Sequence, residues 1–377
     1  MAGIYLHIPF CKQACHYCDF HFSTSLKKKT QLLEAMDKEI RLRSSELEGP
    51  LQTIYFGGGT PSLLEEDELR VLLEIIHQTF GAVEQAEVTI EANPDDIDED
   101  KLIAWRRAGI NRLSIGVQSF FEEDLRWMNR AHNATESIEC IQLSKRYFDN
   151  ISIDLIYGIP GMSLARWSEN IQQSLSLSVP HLSCYALTVE QGTALDYFIR
   201  KGKVKQLDDD LAHQHYELML DQLQQAGYQN YEFSNFGLPG YFSKNNMAYW
   251  TGKPYLGIGP SAHSYDGRVR SWNIANNSKY IQAISDGELP LERETLSRVD
   301  RFNEMVMTRL RIQEGLPLSE VEADFGKKYK DHLLEMAQAE IDDGLLRISN
   351  DHLMVTPKGK FLTDGISSRL FLLNLTN

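Results

Sequence analysis

The sequence has few cysteines, little positive charge and no long apolar run. Its five cysteines are an odd number, and three of them lie close together near the N-terminus, which excludes a disulfide framework. Lysine and arginine number 38 against 53 aspartate and glutamate residues, a net charge of −15. Because neutralising phosphates requires a basic surface, this balance excludes a general nucleic-acid binder.

The absence of any run of about 18 apolar residues predicts that there is no transmembrane helix. The short apolar stretch at the N-terminus contains His7 and Pro9 and has no basic leader, so we expect no signal peptide. The expected compartment is the cytoplasm, where thiols stay reduced and available to metals. A chain of 377 residues predicts two or three domains, which bury a core without disulfides.

Six short apolar runs, bounded by glycine and proline, alternate with longer stretches of helical period in the first 230 residues. Six successive βα units predict a parallel sheet with right-handed crossovers. Periodicity alone leaves open a doubly wound sheet and a complete or partial barrel. The predicted strands cover residues 3–9, 52–56, 87–92, 112–117, 151–157 and 181–187.

The rest of the chain follows a different pattern. Residues 228–272 are rich in Gly, Asn, Tyr and Ser, which predicts an irregular, functional loop, and residues 231–297 form the predicted irregular connecting segment. Residues 298–377 predict three helices and then a hairpin around Asn350 and Asp351, as in a winged-helix-like module. That module either caps the sheet or binds DNA, and the acidic composition argues against DNA. The predicted domains are therefore 1–230, 231–297 and 298–377.

Cys11, Cys15 and Cys18 have the spacing C-x3-C-x2-C. Thiolates, normally four, hold a [4Fe–4S] cluster, so three would leave one iron with an open coordination position. The alternatives are three unligated thiols, or a zinc site completed by His16 or His21. The chain lacks the second Cys-x2-Cys pair typical of zinc sites, which favours the cluster.

Polar residues and glycines recur where the predicted strands end. The carboxyl ends of barrel strands build the active site, so the shared position matters more than any single residue. Asp154 interrupts an otherwise apolar strand, where a carboxylate is costly unless it is paired or functional. The glycines of Gly57-Gly58-Gly59 allow a ligand to approach the backbone closely.

The run IPFCKQACHYCDF, together with GGGTP after the second strand, resembles the radical S-adenosylmethionine (SAM) superfamily, in its oxygen-independent coproporphyrinogen III oxidase-like branch. The resemblance implies a partial (βα)6 barrel with a C-terminal, mostly helical, winged-helix-like module. It implies a [4Fe–4S] cluster on Cys11, Cys15 and Cys18, with SAM bound to the open iron. Positions that match SAM-contacting or flanking residues of that branch are Tyr5, Tyr17, Gly58, Gly59, Thr60, Glu91, Gln118, Arg130, Asp154 and Ala186.

Two subfamilies share these motifs, and the sequence resembles the HemW-type heme chaperones more than the decarboxylases. Phe20 stands where the decarboxylases have a fourth cysteine, and only ten residues precede Cys11. The chaperones carry an HNxxYW motif, and this chain has NNMAYW over residues 245–250. Asn245 therefore replaces the histidine that is the natural axial ligand for heme iron. The candidate heme contacts are Asn245, Asn246, Tyr249, Trp250 and His263, with His16, His21 and Cys184 as further candidate ligands.

The resemblance thus implies a heme chaperone that binds a [4Fe–4S] cluster, SAM and heme or another tetrapyrrole. We expect a heme-acceptor protein as partner and neither nucleic acid nor an integral membrane segment. The alternatives are a coproporphyrinogen III dehydrogenase or other tetrapyrrole-acting radical SAM enzyme, and a binding protein that does not turn SAM over. Whether the chain is an enzyme stays open at this point.

Overall fold

Six parallel strands form the centre of the fold, in the same order in space as in the sequence: β1 Ala2–Ile8, β2 Leu51–Gly58, β3 Glu87–Ala92, β4 Arg112–Gln118, β5 Ile151–Tyr157 and β6 His181–Ala186. The computed structural model describes residues 2–47, 49–81 and 85–373. An unreversed strand order is typical of a barrel wall, whereas a doubly wound sheet reverses at a switch point. The wall stays open, because β1 and β6 pair with other strands on their outer sides. The predicted partial (βα)6 barrel is confirmed.

Six helices connect the parallel strands, and two more follow β6. The connecting helices are α1 Lys29–Leu42, α2 Glu66–Phe80, α3 Glu99–Ala108, α4 Glu122–Trp127, α5 Ala134–Ser144 and α6 Leu164–Ser176, and the two that follow are α7 Ala194–Arg200 and α8 Asp209–Gln225. In α2, for example, Leu69, Leu72, Leu73 and Ile76 lie at helical spacing and are buried. Because the helices cover the face of the sheet, the predicted site lies on the loops at the carboxyl ends of the strands.

The sheet continues past both ends of the barrel wall with short strands: β7 Gln229–Glu232, β8 Asn235–Gly237, β9 Tyr255–Ile258, β10 His263–Tyr265, β11 Val269–Asn273 and β12 Leu291–Thr295. Helices α9 Lys244–Trp250 and α10 Asn277–Ser285 lie among them in the sequence. The prediction of an irregular segment over 231–297 is therefore wrong. These strands have only three to five residues, and the outermost, β12, is largely exposed, so they lack the apolar alternation that marks a longer strand.

A buried carboxylate on α1 hydrogen-bonds to the part of the extension formed by β9 to β11 and α10. Glu39 accepts hydrogen bonds from Gly259 N (2.8 Å) and from the Tyr280 hydroxyl (2.5 Å). It also accepts from Arg43 Nη1 (3.0 Å) and Asn273 Nδ2 (2.7 Å). Because both carboxylate oxygens are paired, the cost of burying the charge is compensated, and β9 to β11 are held against α1.

The C-terminal part has its own hydrophobic core, which includes Phe302, Leu333 and Leu353. Its elements are α11 Arg298–Arg309, β13 Leu316–Pro317, α12 Leu318–Phe325, α13 Lys327–Asp342, β14 Leu346–Ser349, β15 His352–Val355 and α14 Thr363–Arg369. Asn350 and Asp351 have φ values of 49° and 63°, as the tight turn between β14 and β15 requires. The predicted helical module with a hairpin wing is confirmed. None of the helices in the described ranges has the length and apolar character needed to cross a bilayer.

Candidate functional site

The loop after β1 carries the three clustered cysteines. Two backbone hydrogen bonds close this loop, from Ser23 N to Pro9 O (2.9 Å) and from Cys11 N to Ser23 O (3.1 Å). Cys11, Cys15 and Cys18 are free and half-buried. The three thiols are thus held on one loop at the carboxyl end of the first barrel strand.

Hydrogen-bond donors from neighbouring loops reach the sulfur atoms. Arg130 Nη1 donates to Cys15 Sγ at 3.4 Å, and the nearby Thr60 side chain counters the rise that burial causes in the pKa of the Cys11 thiol. Thiolates that hold an iron–sulfur cluster accept such bonds, which tune the cluster. The donors present therefore fit a [4Fe–4S] cluster with three protein ligands.

The histidines that a zinc site would need are engaged elsewhere. His16 Nδ1 is hydrogen-bonded to Trp127 O at 2.9 Å, and His21 Nε2 to Asn277 Oδ1 at 2.7 Å. Among the residues that the structure describes, no three His, Cys, Asp or Glu side chains form a group that could hold one ion. The hydrogen bonds of the two histidines favour a cluster over a mononuclear zinc ion.

The glycines at the end of β2 lie directly against the start of the cysteine loop. Gly59 N donates to Ile8 O at 3.0 Å. A Cβ atom on Gly59 would lie 2.7 Å from Phe10 O and 2.8 Å from Ile8 O. Gly58 has a φ of 106°, which an L side chain rarely adopts. These positions require glycine because two backbones meet there.

We expect Gly59→Ala to lower the free energy of unfolding by about 1–3 kcal/mol, because the new methyl group would press on two carbonyl oxygens. Urea unfolding of the purified protein measures this change. Gly365, in α14, is a matched control, since a Cβ there would meet no atom closer than 3.5 Å. Gly365→Ala should leave stability unchanged or raise it by about 0.5–1 kcal/mol. Equal losses in both variants would contradict the close contact at Gly59.

Two carboxyl groups lie near each other at the carboxyl end of the sheet. Glu91 Oε1 accepts from the Tyr55 hydroxyl (2.8 Å), and Glu91 Oε2 accepts from Gly58 N (3.2 Å). Asp154 Oδ1 accepts from the Ser114 hydroxyl at 3.3 Å. Burial raises the pKa of Glu91 to about 7, with a further contribution from the Asp154 charge, and burial raises the pKa of Asp154 to about 6. Such a pair suits a ligand that brings hydroxyl groups or positive charge.

Arg130 joins this region to the cysteine loop. Besides its bond to Cys15, Arg130 Nη2 donates to Asn93 Oδ1 (2.6 Å) and Gly116 O (2.8 Å). The guanidinium also lies near Tyr17, whose side chain raises the pKa of Arg130. Its Nε atom is buried without a hydrogen-bond partner among the described residues. A free N–H on a fixed guanidinium suits a ligand carboxylate.

Three more of the predicted SAM residues lie at or just after strand ends. Gln118 ends β4 with a φ of 66°, where the register between β4 and β5 shifts. That conformation is uncommon for a residue with a side chain and clusters at functional sites. Thr60 is buried and accepts a hydrogen bond from Asn93 Nδ2 at 3.3 Å. Ala186 ends β6, half-buried, opposite Tyr157 of β5.

A cavity of about 840 Å³ opens beside the cysteine loop, between β9 to β11, helix α9 and the helices α11 and α12. Tyr5 forms part of its wall, and its ring stacks on Tyr55 with centroids 6.1 Å apart. Because Tyr55 also holds Glu91, Tyr5 lies between the cavity and the carboxyl pair. We call this space the aromatic cavity.

Three of the five candidate heme contacts, Tyr249, Trp250 and His263, line the aromatic cavity. The Tyr249 ring meets Tyr255 edge-on, with centroids 4.6 Å apart. Trp250 is held by Arg311, whose guanidinium carbon lies 5.0 Å from the ring centroid. The aromatic rings of this wall are therefore fixed by their neighbours.

Asn245 and Asn246 lie away from the cavity wall. Asn245 is 5% exposed, its backbone N donates to Glu87 at 3.1 Å, and its side chain lies near Tyr249. Asn246 N donates to Ser243 Oγ at 3.2 Å, which caps α9. Both residues hold the helix that carries Tyr249 and Trp250.

Sequence reasoning missed the polar residues that hold the predicted ones in place. Asn93 joins Arg130 to Thr60, and Tyr55 holds Glu91. The sequence did contain an indication for Asn93, because this polar residue directly precedes Pro94 and so lies where β3 ends, like the predicted site residues. Also missed were Ser114, which donates to Asp154, Ser183, which lies near the same carboxyl, and the cavity arginines Arg270, Arg301 and Arg309.

Known proteins match this chain over nearly its whole length. The Radical SAM superfamily matches residues 5–173, and the HemN C-terminal domain matches residues 296–362. Heme chaperone HemW of Mycobacterium tuberculosis is 36% identical, over 97% of this chain and 93% of its own length. HemW of Bacillus subtilis is 31% identical, over 97% and 98%. Coproporphyrinogen III oxidase (HemN) from Escherichia coli, a radical SAM enzyme, has a TM-score of 0.85 at 25% identity and covers 98% of this chain and 90% of its own.

Proposed function

The chain belongs to the HemW heme chaperones of the radical SAM superfamily, and from this premise we propose that it binds heme and passes it to acceptor proteins. The observation that carries the proposal is the aromatic cavity beside the cysteine loop. Its volume of about 840 Å³ lies within the range of roughly 300–1,000 Å³ typical of cofactor sites.

A [4Fe–4S] cluster on Cys11, Cys15 and Cys18 is the first cofactor of the proposal. The hydrogen bond from Arg130 to the Cys15 sulfur supports it, as does the Thr60 side chain near Cys11. When bound, the cluster and SAM together supply one-electron reduction chemistry. The free thiols would oxidise in an oxidising compartment, so the proposal is for a cytoplasmic protein.

SAM is the second cofactor. Glu91 and Asp154 would accept hydrogen bonds from its hydroxyl and ammonium groups, and the unpartnered Nε of Arg130 would donate to its carboxylate. The other proposed contacts are Tyr5, Tyr17, Gly58, Gly59, Thr60, Gln118 and Ala186.

Heme would stack on the rings of Tyr249 and Trp250 in the aromatic cavity. An amide is a poor ligand for heme iron, and Asn245 is buried behind Tyr249. In this proposal Asn245 and Asn246 shape α9, and the iron ligand lies elsewhere. The proposed domains are the barrel core over 1–230, the connecting segment over 231–297 and the C-terminal module over 298–377.

One observation favours a second candidate function, an oxygen-independent coproporphyrinogen III dehydrogenase: the likeness to HemN extends over 98% of this chain. Phe20, which is 63% exposed on the cavity wall, stands where the decarboxylases have their fourth cysteine. Decarboxylation of coproporphyrinogen III by the reconstituted protein, with SAM and a reductant, would support this function. Release of 5′-deoxyadenosine without decarboxylation would show SAM turnover and argue against a merely structural SAM pocket.

A heme titration of the wild type beside Asn245→His tests the chaperone proposal. We expect both proteins to bind heme with the same affinity and the same absorption spectrum, because residue 245 does not line the cavity. Absorbance of the reconstituted cluster serves as the check that the variant is folded. Failure of the wild type to bind heme would refute the proposal, and heme binding by Asn245→His alone would mean that this chain has lost the site.

A further inference from the structure

The cavity wall contains three histidines, which differ in the hydrogen bonds of their ring nitrogens. His7 has both nitrogens engaged, Nδ1 with the Tyr5 hydroxyl (3.2 Å) and Nε2 with His21 O (2.8 Å). His21 is bound to Asn277 through Nε2. His263 makes no side-chain hydrogen bond with any residue in the part of the chain that the structure describes, and its ring is exposed to the cavity.

His263 is also held in the form that binds iron. Its ring stacks on Trp272, with centroids 5.9 Å apart and planes at 26°, which fixes the ring orientation. Burial and the nearby Arg270 charge lower the pKa of His263, which favours the neutral imidazole. A neutral imidazole donates a nitrogen lone pair to a metal without first losing a proton.

Cys184 and His16, the other two candidate iron ligands named from the sequence, do not line the aromatic cavity. Cys184 is 1% exposed in the barrel core, and burial raises the pKa of its thiol. His16 is bound to Trp127 O and is not part of the cavity wall. His263 is therefore the ligand that the cavity offers with both ring nitrogens unengaged.

The three arginines of the wall differ in the same way. Arg270 pairs with Glu304 at 3.0 Å, and Arg309 pairs with Glu320 at 3.1 Å. Arg301 forms no ion pair with any described residue, and its Nε is buried without a hydrogen-bond partner. Burying part of an unpaired guanidinium costs free energy unless an anionic group of a ligand pairs with it.

We propose that the aromatic cavity holds heme with its iron on His263 and one of its carboxylates on Arg301. This site rests on the proposed heme function. It supplies an iron ligand in place of the histidine that is absent at position 245, and it adds a contact for a heme carboxylate. The aromatic rings of Tyr249, Trp250 and Tyr255, on the same wall, provide the apolar surface for the porphyrin. His263 lies on β10 and Arg301 on α11, so the ligand would bridge the barrel extension and the C-terminal module.

Three related ligands allow the iron contact of His263 and the carboxylate contact of Arg301 to be tested separately. Ferric heme has both the iron and the carboxylates, metal-free protoporphyrin IX has only the carboxylates, and heme dimethyl ester has only the iron. Each is titrated into the reconstituted full-length wild type, His263→Ala and Arg301→Gln, with His21→Ala and Arg309→Gln as matched controls from the same wall. Cluster absorbance and SAM binding report that each variant is folded.

We expect His263→Ala to change the heme absorption spectrum and to remove the preference for heme over metal-free porphyrin. A thioether also ligates heme iron, so His263→Met should restore a ligated spectrum with shifted bands. Arg301→Gln should weaken heme and metal-free porphyrin by roughly tenfold, as loss of a charge-assisted hydrogen bond predicts, and leave the dimethyl ester unaffected. The control variants should keep the wild-type heme spectrum and lose less affinity than Arg301→Gln does.

The outcomes separate this site from the function on which it rests. A wild type that binds none of the ligands refutes the proposed function and this site together. Heme binding whose spectrum is the same in His263→Ala refutes the iron ligand alone. Equal weakening by Arg301→Gln and Arg309→Gln refutes the carboxylate contact, because it would reflect only the general charge of the wall.

Discussion

Serine in place of Cys11, Cys15 or Cys18 should abolish the broad visible absorbance of the anaerobically reconstituted protein and remove its bound iron and sulfide. A cluster with three protein ligands cannot spare one, and a hydroxyl is a much poorer ligand than a thiolate. The other two cysteines cannot take over, because Cys140 and Cys184 are buried at 4% and 1% exposure. We expect the iron content to fall from about four per chain to near zero.

Cys140→Ala is the matched control. Cys140 lies in α5, where its thiol donates to Ser137 O at 3.2 Å, and the substitution removes a thiol without touching the loop. This variant should keep its iron, sulfide and absorbance. An unchanged spectrum in Cys15→Ser, or an equal loss in Cys140→Ala, would rule out the three-ligand cluster.

Metal analysis of the same proteins also tests the zinc alternative. A zinc site completed by a histidine would lose its metal in His16→Ala or His21→Ala, whereas a cluster held by three thiolates would keep its iron in both variants. The hydrogen bonds of His16 to Trp127 O and of His21 to Asn277 predict the second result. Stoichiometric zinc without sulfide in the wild type would contradict it.

The barrel could be predicted from the sequence because its strands are long and apolar. The predicted strands 87–92 and 151–157 coincide with β3 and β5, and the others differ from the structure by no more than two residues at either end. Each is buried along most of its length and is bounded by glycine, proline or a polar turn, which the hydrophobic pattern records. The resemblance assigned the site residues, and the predicted strands placed most of them at strand ends.

The extension and the aromatic cavity could not be predicted, because they depend on pairing between distant segments. β9 adds to β1 across about 250 residues of sequence, and only four residues pair. Asn245 was a candidate heme contact from its place in a motif, but its orientation depends on the bond of its backbone to Glu87 of β3. Arg270 and Arg309 form ion pairs and Arg301 forms none within the described ranges, and this difference likewise has no signature in the sequence.

Glu91→Gln should stabilise the ligand-free protein at pH 8 while weakening its binding of SAM. Burial raises the pKa of Glu91 from 4.5 to about 7 in the folded chain, so the folded state prefers the protonated carboxyl. That contribution to stability is complete below the unfolded pKa of 4.5 and is lost as the pH rises through about 7. Glutamine keeps a neutral side chain at every pH, so we expect a gain of about 2–3 kcal/mol at pH 8.

Urea unfolding of the ligand-free protein at pH 6 and pH 8 measures the stability change. The wild type should lose stability between these values through Glu91 and Asp154, and Glu91→Gln should lose less. Glu34, exposed on α1, is the matched control, and Glu34→Gln should follow the wild type. The same pH dependence in wild type and Glu91→Gln would show that this carboxyl does not titrate in the window.

The affinity for SAM should change in the opposite direction. SAM carries a sulfonium and an ammonium group, so it binds better to the ionised carboxyls, and its affinity for the wild type should rise with pH through about 6 to 7. Calorimetry on the cluster-loaded protein should show this rise, a roughly tenfold or greater loss in Glu91→Gln, and a flatter profile that retains only the Asp154 step. A stable variant that binds a cofactor poorly is the expected result when a strained buried charge serves binding at the expense of the fold. An affinity for SAM that is independent of pH in the wild type would remove Glu91 and Asp154 from the site.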